Sequence, residues 1–376
     1  MGTRTSEVMI IGIVAGNISD HPAGLERYIY EFVSHLTIVG SEHTYNLYVR
    51  SEGVLSQDFE GRSNVRVVKV GWGILWKEIG LHFATKSDVY FFTGPITSLS
   101  FRPRRSIVIA YDFAYKRFGR SIRSLASRIF LDILSMLSFS RAERIVCISE
   151  ETRADLVKYF KPALSKAVVI YPGYNHLPDG GHMSHILHSP FFLFAGTIKE
   201  RKNILNIIRG FDIYCRLVPK SNMTLVLAGK YSPKDPYYIS LIQHVNNIGL
   251  GNRVCFLGRV SDEELGVLYR KATAFVYPSF IEGFGLPILE TMDAGLPVIT
   301  SNCGATKETA GDAAIFVDPF SPEDIGKAMR DLLSETSREE LIRKGRENTN
   351  RFSWNKMAEE FLALLNNLQG VTTLIK

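Results

Sequence analysis

The strongest constraint on this chain's fold is a rhythm. Short runs rich in Ile, Val and Phe alternate with longer segments whose apolar residues recur at helical spacing, and the alternation runs twice along 376 residues. In the second half, apolar runs at 191–195, 223–228, 254–257, 273–277, 298–301 and 314–317 are separated by helical patterns, among them 202–217 and 236–248, and followed by others at 323–333 and 339–350. Short uninterrupted apolar runs suit strands buried on both faces, as in parallel sheets. The first half repeats the pattern less regularly, with strand-like runs at 8–14, 45–49, 65–70, 88–92, 106–110 and 144–148 and helical ones at 25–36 and 121–137. Two βα arrays of similar length predict an α/β chain of two doubly wound, Rossmann-like domains facing a cleft.

Residues 172–190 break the rhythm with Pro, Gly and polar side chains and read as the connection between the arrays. The expected limits are 1–180 for the first domain and 190–355 for the second. A last helix over 356–376, apolar at Met357, Phe361, Leu364, Leu365 and Leu368, crosses back to the first. His176, His182, His185 and His188 lie in or beside this stretch, but it is loop-like and poor in carboxylates, so it reads as linker and not as a metal site.

Composition excludes several classes. No run reaches the roughly 18 uncharged apolar residues that a membrane span needs. The apolar run at 8–14 leads into Gly, Asn and Asp, not a small-residue cleavage site, so it reads as a first strand and not a signal peptide. Met1, Gly2 and Ser6 meet the minimal myristoylation pattern, which is too short to weigh much. The four cysteines, Cys147, Cys215, Cys255 and Cys303, are far apart and are expected to be buried free thiols in a reducing compartment. A cytoplasmic protein follows. Charge is uneven: residues 1–185 hold 22 Lys and Arg against 17 Asp and Glu, whereas the remainder is nearly balanced at 22 against 21. The excess gathers at Arg102, Arg104, Arg105, Lys116, Arg117, Arg120, Arg123 and Arg128. The helical pattern at 121–137 is therefore either a core helix with a basic outer face, the reading every α/β domain favours, or a helix lying on an anionic membrane surface.

The chemistry-bearing stretch follows the apolar run 273–277. Here Pro278, Ser279, Phe280, Ile281, Glu282, Gly283, Phe284 and Gly285 lead into a helix opening at Leu286-Pro287. Proline suits a first helical turn, and the glycines let a ligand approach the backbone. The N–H groups of Phe284, Gly285 and Leu286 then face an anion at a helix N-terminus, flanked by Glu282 outside the helix and Glu290 one turn inside. A second turn, after the run 191–195, carries Gly196, Thr197, Ile198, Lys199, Glu200, Arg201, Lys202 and Asn203. Its cations suit a diphosphate, Arg as a bidentate fork and Lys as a point charge. No phosphate-binding GxxxxGK[ST] loop, GxSxG elbow, HExxH or Asp-x-Asp metal clamp occurs.

Together these residues resemble glycosyltransferase family 4, of the two-domain GT-B fold. The resemblance rests on the Glu-x7-Glu of Glu282 and Glu290 in its setting, on the continuation through Gly295, Pro297, Gly304, Glu308 and Gly311, and on the 196–203 turn. It is dense from 191 to 354. It implies a retaining hexosyltransferase that moves a sugar, mannose favoured, from a nucleotide-diphosphate donor to a glycan or lipid-linked acceptor in surface polysaccharide or O-antigen assembly. By resemblance, Glu282 binds the transferred sugar, Glu290 the ribose, and Arg201 and Lys202 the diphosphate. Gly196, Arg259 and Val260 contact the donor, and Gly24 approaches it from the first domain. The family often carries His-Asp where this chain has Tyr111-Asp112, so Tyr111 stands at a catalytic position with different chemistry. The resemblance implies no cofactor and no divalent metal. No nucleic-acid partner is expected, and a peripheral contact with the inner face of an anionic membrane is. The alternatives are an inactive sugar-nucleotide-binding subunit and a sugar-nucleotide epimerase of the same architecture.

Overall fold

A computed structural model describes residues 8–19, 24–53, 55–117, 125–180, 190–333 and 335–372. The chain divides into two units, one of Met1–Gly173 with Phe352–Lys376 and one of Tyr174–Arg351.

In the first unit seven strands are parallel: β1 (Ile10–Gly16), β2 (Thr44–Arg50), β3 (Val65–Val70), β4 (Val89–Phe92), β5 (Ser106–Ala110), β6 (Arg144–Cys147) and β7 (Ala167–Val169). Their order is β3-β2-β1-β4-β5-β6-β7, which reverses direction between β1 and β4. β4 and β5 are buried along their whole length, as their unbroken apolar runs require. β1 starts two residues later than expected. Val8 is exposed, and the Asp88 carboxylate accepts a hydrogen bond from Ile10 N at 2.7 Å, so pairing begins at residue 10. Helix Trp354–Thr372 belongs to this unit. It lies on helix Leu25–Val39, with the Phe361 ring 5.2 Å from Phe32 and 4.8 Å from Phe91. Gly173 has no alternative there, because a Cβ would sit 2.1 Å from Trp354 N.

The outer surface of helix Leu125–Arg141 departs from expectation. Along the described helix the exposed positions include Ile129, Phe130, Ile133 and Met136, with Arg128 half-buried and Arg141 exposed at its end. Arg120 and Arg123 lie outside the described residues, as do Met1, Gly2, Ser6, His182, His185 and His188. The cysteine expectation is corrected as well. All four are thiols, but only Cys147 is buried; Cys255 is exposed on the edge strand of the second sheet, and Cys303 is exposed before a helix start.

The second unit is built on β8 (Phe191–Ala195), β9 (Thr224–Ala228), β10 (Val254–Gly258), β11 (Ala274–Tyr277), β12 (Val298–Ser301) and β13 (Ala314–Val317), all parallel. The order β10-β9-β8-β11-β12-β13 is the doubly wound order, reversing between β8 and β11. The chain leaves β8 toward β9 on one side and β11 toward β12 on the other, so a crevice opens where their carboxyl ends meet. Ligands of open parallel sheets bind at that place. The two segments that leave it are 196–203 and 278–285, the turns that carry the cations and Glu282.

Candidate active site

The backbone of the first turn is set by close approach at one glycine. A Cβ on Gly229, after β9, would lie 1.9 Å from the Gly196 carbonyl oxygen. The turn is then tied down by Gly196 N donating to Ala228 O at 2.9 Å and Ile198 N to Lys230 O at 3.0 Å. Glu200–Lys202 forms one 3-10 turn, and Asn203 follows in the left-handed region with φ 63°. An Asn pays a small steric cost there, offset by its buried amide, which donates to Pro278 O at 2.8 Å and Pro319 O at 2.7 Å. This kink separates the 3-10 turn from helix Ile204–Leu217 and locks the first turn against the second, where Phe280 N donates to Arg201 O at 3.0 Å.

Those constraints bring three charged groups together. Lys202 Nζ lies 2.6 Å from Glu282 Oε1, and Arg201 Nη1 lies 3.2 Å from Glu282 Oε2 and 3.2 Å from the Ile281 carbonyl. The Glu282 side chain is 7% exposed and Lys202 11%, whereas Arg201 is more open at 28%. Burial alone pushes the Glu282 pKa up, but the Lys202 and Arg201 charges outweigh it and hold the carboxyl below the usual glutamate value. Glu282 is therefore a carboxylate with two cations on it. The ammonium of Lys202 is also received by the Tyr277 hydroxyl and sits 4.9 Å from the centre of the Tyr277 ring. Tyr277 ends β11 and stacks on Phe194 and Phe275 at 5.7 Å and 5.3 Å; burial raises its pKa well above the ordinary phenol value, so it stays neutral.

Beside this cluster, helix Leu286–Asp293 starts at Gly285, whose φ of 115° only glycine adopts easily, with Pro287 in the first turn. Phe284 is buried and its carbonyl accepts from Thr309 Oγ1 at 2.9 Å, which fixes the approach to the helix. Glu290 is half-buried one turn in, with Tyr269 OH donating to Oε2 at 3.4 Å. Arg259 is exposed and Val260 half-buried, both on the turn after β10 beyond Gly258, which has φ 76°. The arrangement offers a carboxylate, two cations and a helix N-terminus at one end of one sheet, as a ligand bearing both hydroxyls and phosphates requires.

Residues 185–348 match the family model described as glycosyl transferases group 1. Among curated relatives, O-antigen chain mannosyltransferase B of Escherichia coli is 29% identical over 70% of this chain and 71% of its own length. O-antigen chain mannosyltransferase RfbU of Salmonella typhimurium is 28% identical over 56% of each. Among solved structures, sucrose-phosphate synthase from Thermosynechococcus elongatus shares the fold with a TM-score of 0.74 at 19% identity, covering 96% of this chain and 99% of that one. Residues 185–348 belong to the group 1 glycosyltransferases. The chain's two doubly wound units are those of the GT-B fold.

The expected site residues of this glycosyltransferase do not all fall in one unit. Glu282, Arg201 and Lys202 are in mutual contact in the second unit. Gly196, Phe284, Gly285, Leu286 and Glu290 lie on the same turns or the helix that follows, and Arg259 and Val260 on a neighbouring turn. Gly24 and Tyr111 belong to the first. Gly24 precedes helix Leu25–Val39 with φ 59°, and a Cβ there would meet nothing within 4 Å. Tyr111 follows β5; its hydroxyl donates to Thr93 O at 2.8 Å and its ring meets Tyr28 edge-on at 5.1 Å. Burial raises its pKa well above the ordinary value. Its hydroxyl is thus engaged with backbone just past β4 as a neutral donor.

Sequence reasoning left Tyr277 and Asn203 without roles. The signal for Tyr277 was present: a hydroxyl at the end of an otherwise apolar buried strand must find a partner. Tyr277→Phe keeps the ring under Lys202 and removes the hydroxyl. The expected result is a fall of about tenfold in kcat/KM, with stability changed by roughly 0.5–1.5 kcal/mol, the worth of one hydrogen bond. Steady-state kinetics and thermal unfolding check it; unchanged kinetics would show that the hydroxyl does not position Lys202.

Proposed function

We propose that this glycosyltransferase moves a hexose, mannose in preference, from a nucleotide-diphosphate sugar to a glycan or lipid-linked acceptor in surface polysaccharide assembly. The observation that carries the reading is the Lys202–Glu282–Arg201 contact at the meeting of β8 and β11. The relatives named as O-antigen mannosyltransferases support mannose and the acceptor class. Glu282 accepts hydrogen bonds from hydroxyls of the transferred sugar. Arg201 and Lys202, with the helix N-terminus at Leu286, take the charge that builds on the diphosphate as it leaves. Glu290 receives ribose hydroxyls.

In the reaction the acceptor oxygen bonds to the anomeric carbon on the face that the diphosphate leaves. The bond from that carbon to the phosphate oxygen breaks, and the acceptor proton passes to the departing phosphate. Configuration is retained, and no protein base is required. The two cations do the work of charge neutralisation, so the reaction proceeds without a divalent metal. The enzyme works in the cytoplasm, peripheral to the inner face of the membrane where a lipid-linked acceptor is held, and takes no nucleic-acid partner.

The test is a thermal-shift and nucleotide-release series with GDP-mannose, GDP-fucose, UDP-glucose and UDP-galactose. The productive donor at about a hundred times its Kd stabilises by about 2.7 kcal/mol, which is roughly a 5–10 °C rise for a unit of this size. GDP-mannose is expected to give that rise, and nucleotide release with acceptor is expected to survive EDTA, with retained configuration in the product. No rise with any sugar nucleotide overturns the donor class, a donor-bound but inert protein makes the chain a binding subunit, and loss of release in EDTA overturns the metal-free scheme.

A further inference from the structure

Helix Leu125–Arg141 turns apolar side chains outward. Its inner side packs through buried Ser135, Ser138 and Phe139. Its outer side carries Ile129, Phe130, Ile133 and Met136, between 47% and 61% exposed. These positions follow one another at helical spacing and make one stripe. A surface helix of an α/β domain ordinarily turns polar residues outward, and a stripe of this kind marks an interaction face. A second exposed apolar group lies in the same unit, with Trp72, Ile74 and Phe83 between 61% and 90% exposed. The two are tied together. Glu78 accepts from Leu99 N at 2.9 Å and Ser100 N at 2.9 Å, and Thr97 N donates to Ser138 Oγ on the helix at 2.9 Å.

We infer that this face of the first unit docks on an anionic lipid surface by seating the Ile129–Phe130–Ile133–Met136 stripe among the acyl chains just below the headgroups. The inference rests on the peripheral-membrane part of the function proposed above and replaces a basic outer face with an apolar one as the means of attachment. Charge selects the occupant. Arg141 and Arg102 are exposed at the rim, both donating to Leu99 O at 3.2 Å and 3.3 Å, and Lys166 Nζ donates to Ser140 O at 2.6 Å. The nearby carboxylates are already engaged: Asp132 with Lys116, and Glu143 with Arg105 at 3.5 Å. An apolar stripe with a cationic rim complements anionic headgroups over acyl chains. A second copy of this chain brings the same cations to the rim and lacks that complementarity. Among the described residues no helix is long and apolar enough to cross a membrane, and this one has 17 residues, so it lies in the plane of the interface.

The experiment is flotation of the full chain with vesicles of phosphatidylethanolamine and phosphatidylglycerol, and with phosphatidylcholine alone. Wild type is expected to float with the anionic vesicles, less so in high salt, and at least tenfold more weakly with phosphatidylcholine. Ile129→Ser/Ile133→Ser and Phe130→Ser are each expected to lower binding at least tenfold. Their melting midpoints and the donor-induced rise in midpoint should be unchanged, since they are exposed and lie outside the donor residues. Arg141→Glu is expected to weaken binding and flatten its salt dependence. Wild-type-like flotation of the serine variants overturns the stripe, and failure of wild type to float overturns docking. A wild-type dimer in sedimentation that the serine variants split assigns the stripe to a second copy instead. Because the donor-induced shift is read on the same samples, loss of that shift with flotation intact indicts the transferase reading and not the docking.

Discussion

Lys202→Ala is expected to lower transfer by about a hundredfold to a thousandfold and to weaken the second unit. The two effects have one cause. The Lys202 ammonium is placed before substrate arrives, 2.6 Å from Glu282 and on the Tyr277 hydroxyl and ring, in a site almost closed to water. A preorganised charge in such a place costs no reorganisation when the diphosphate departs, and removing one donor of that kind typically costs about 10²–10³ in rate. The substitution also leaves a buried carboxylate with one cation, Arg201, in place of two. Breaking a buried pair costs roughly 3–5 kcal/mol; because Arg201 stays at 3.2 Å, the lower end applies. For a unit of this size that is a drop of roughly 6–10 °C in melting midpoint. Kinetics must therefore be read well below both midpoints. Lys202→Arg restores charge but not fit, since a planar guanidinium cannot occupy the ammonium's place between Tyr277 and Glu282. It should recover much of the stability and little of the rate. A Lys202→Ala enzyme within threefold of wild type at such a temperature removes Lys202 from the donor site.

The parts of the fold that were legible are those whose burial leaves a pattern. β5, β8, β12 and β13 have the expected bounds because each is a largely apolar run cut off by polar or turn residues. Two elements left no such mark. β7 is three half-buried residues at the sheet edge, and helix Glu150–Tyr159 is mostly polar, held by Ser149 accepting from Thr152 N at 3.0 Å. The outer face of Leu125–Arg141 was only partly legible for a related reason: of the arginines expected there only Arg128 lies among the described residues, where it is half-buried, and the outward positions are Ile, Phe and Met. At the site, Glu282 was legible from its glycine and proline setting. Its engagement by both cations was not, because that depends on the left-handed Asn203 and on the reversal of strand order between β8 and β11, neither of which spacing encodes.

Glu282→Gln separates charge from shape at the same position. Glutamine keeps the size and one acceptor oxygen, so hydroxyl contacts to a sugar can persist, but Arg201 and Lys202 then face each other without a counter-ion. The expected result is a fall in kcat of about a hundredfold or more, together with a stability loss that depends on pH. The direction of that dependence follows from the pKa. Burial raises the Glu282 pKa, the Lys202 and Arg201 charges lower it further than burial raises it, and the folded value lies below the glutamate norm. A carboxyl depressed on folding contributes stability that is fully present above its unfolded pKa of about 4.3 and is lost as pH falls through the folded value. Glutamine does not titrate. The gap in melting midpoint between wild type and Glu282→Gln should therefore be full at pH 7, hold to about pH 5, and shrink steadily in more acid solution as the wild-type carboxyl takes up its proton. A gap that stays constant down to pH 3, or one that widens, would falsify the ion pair as the source of the stability. If the gap closes on schedule but kcat is near wild type, the pair is structural and the donor's charge is handled elsewhere.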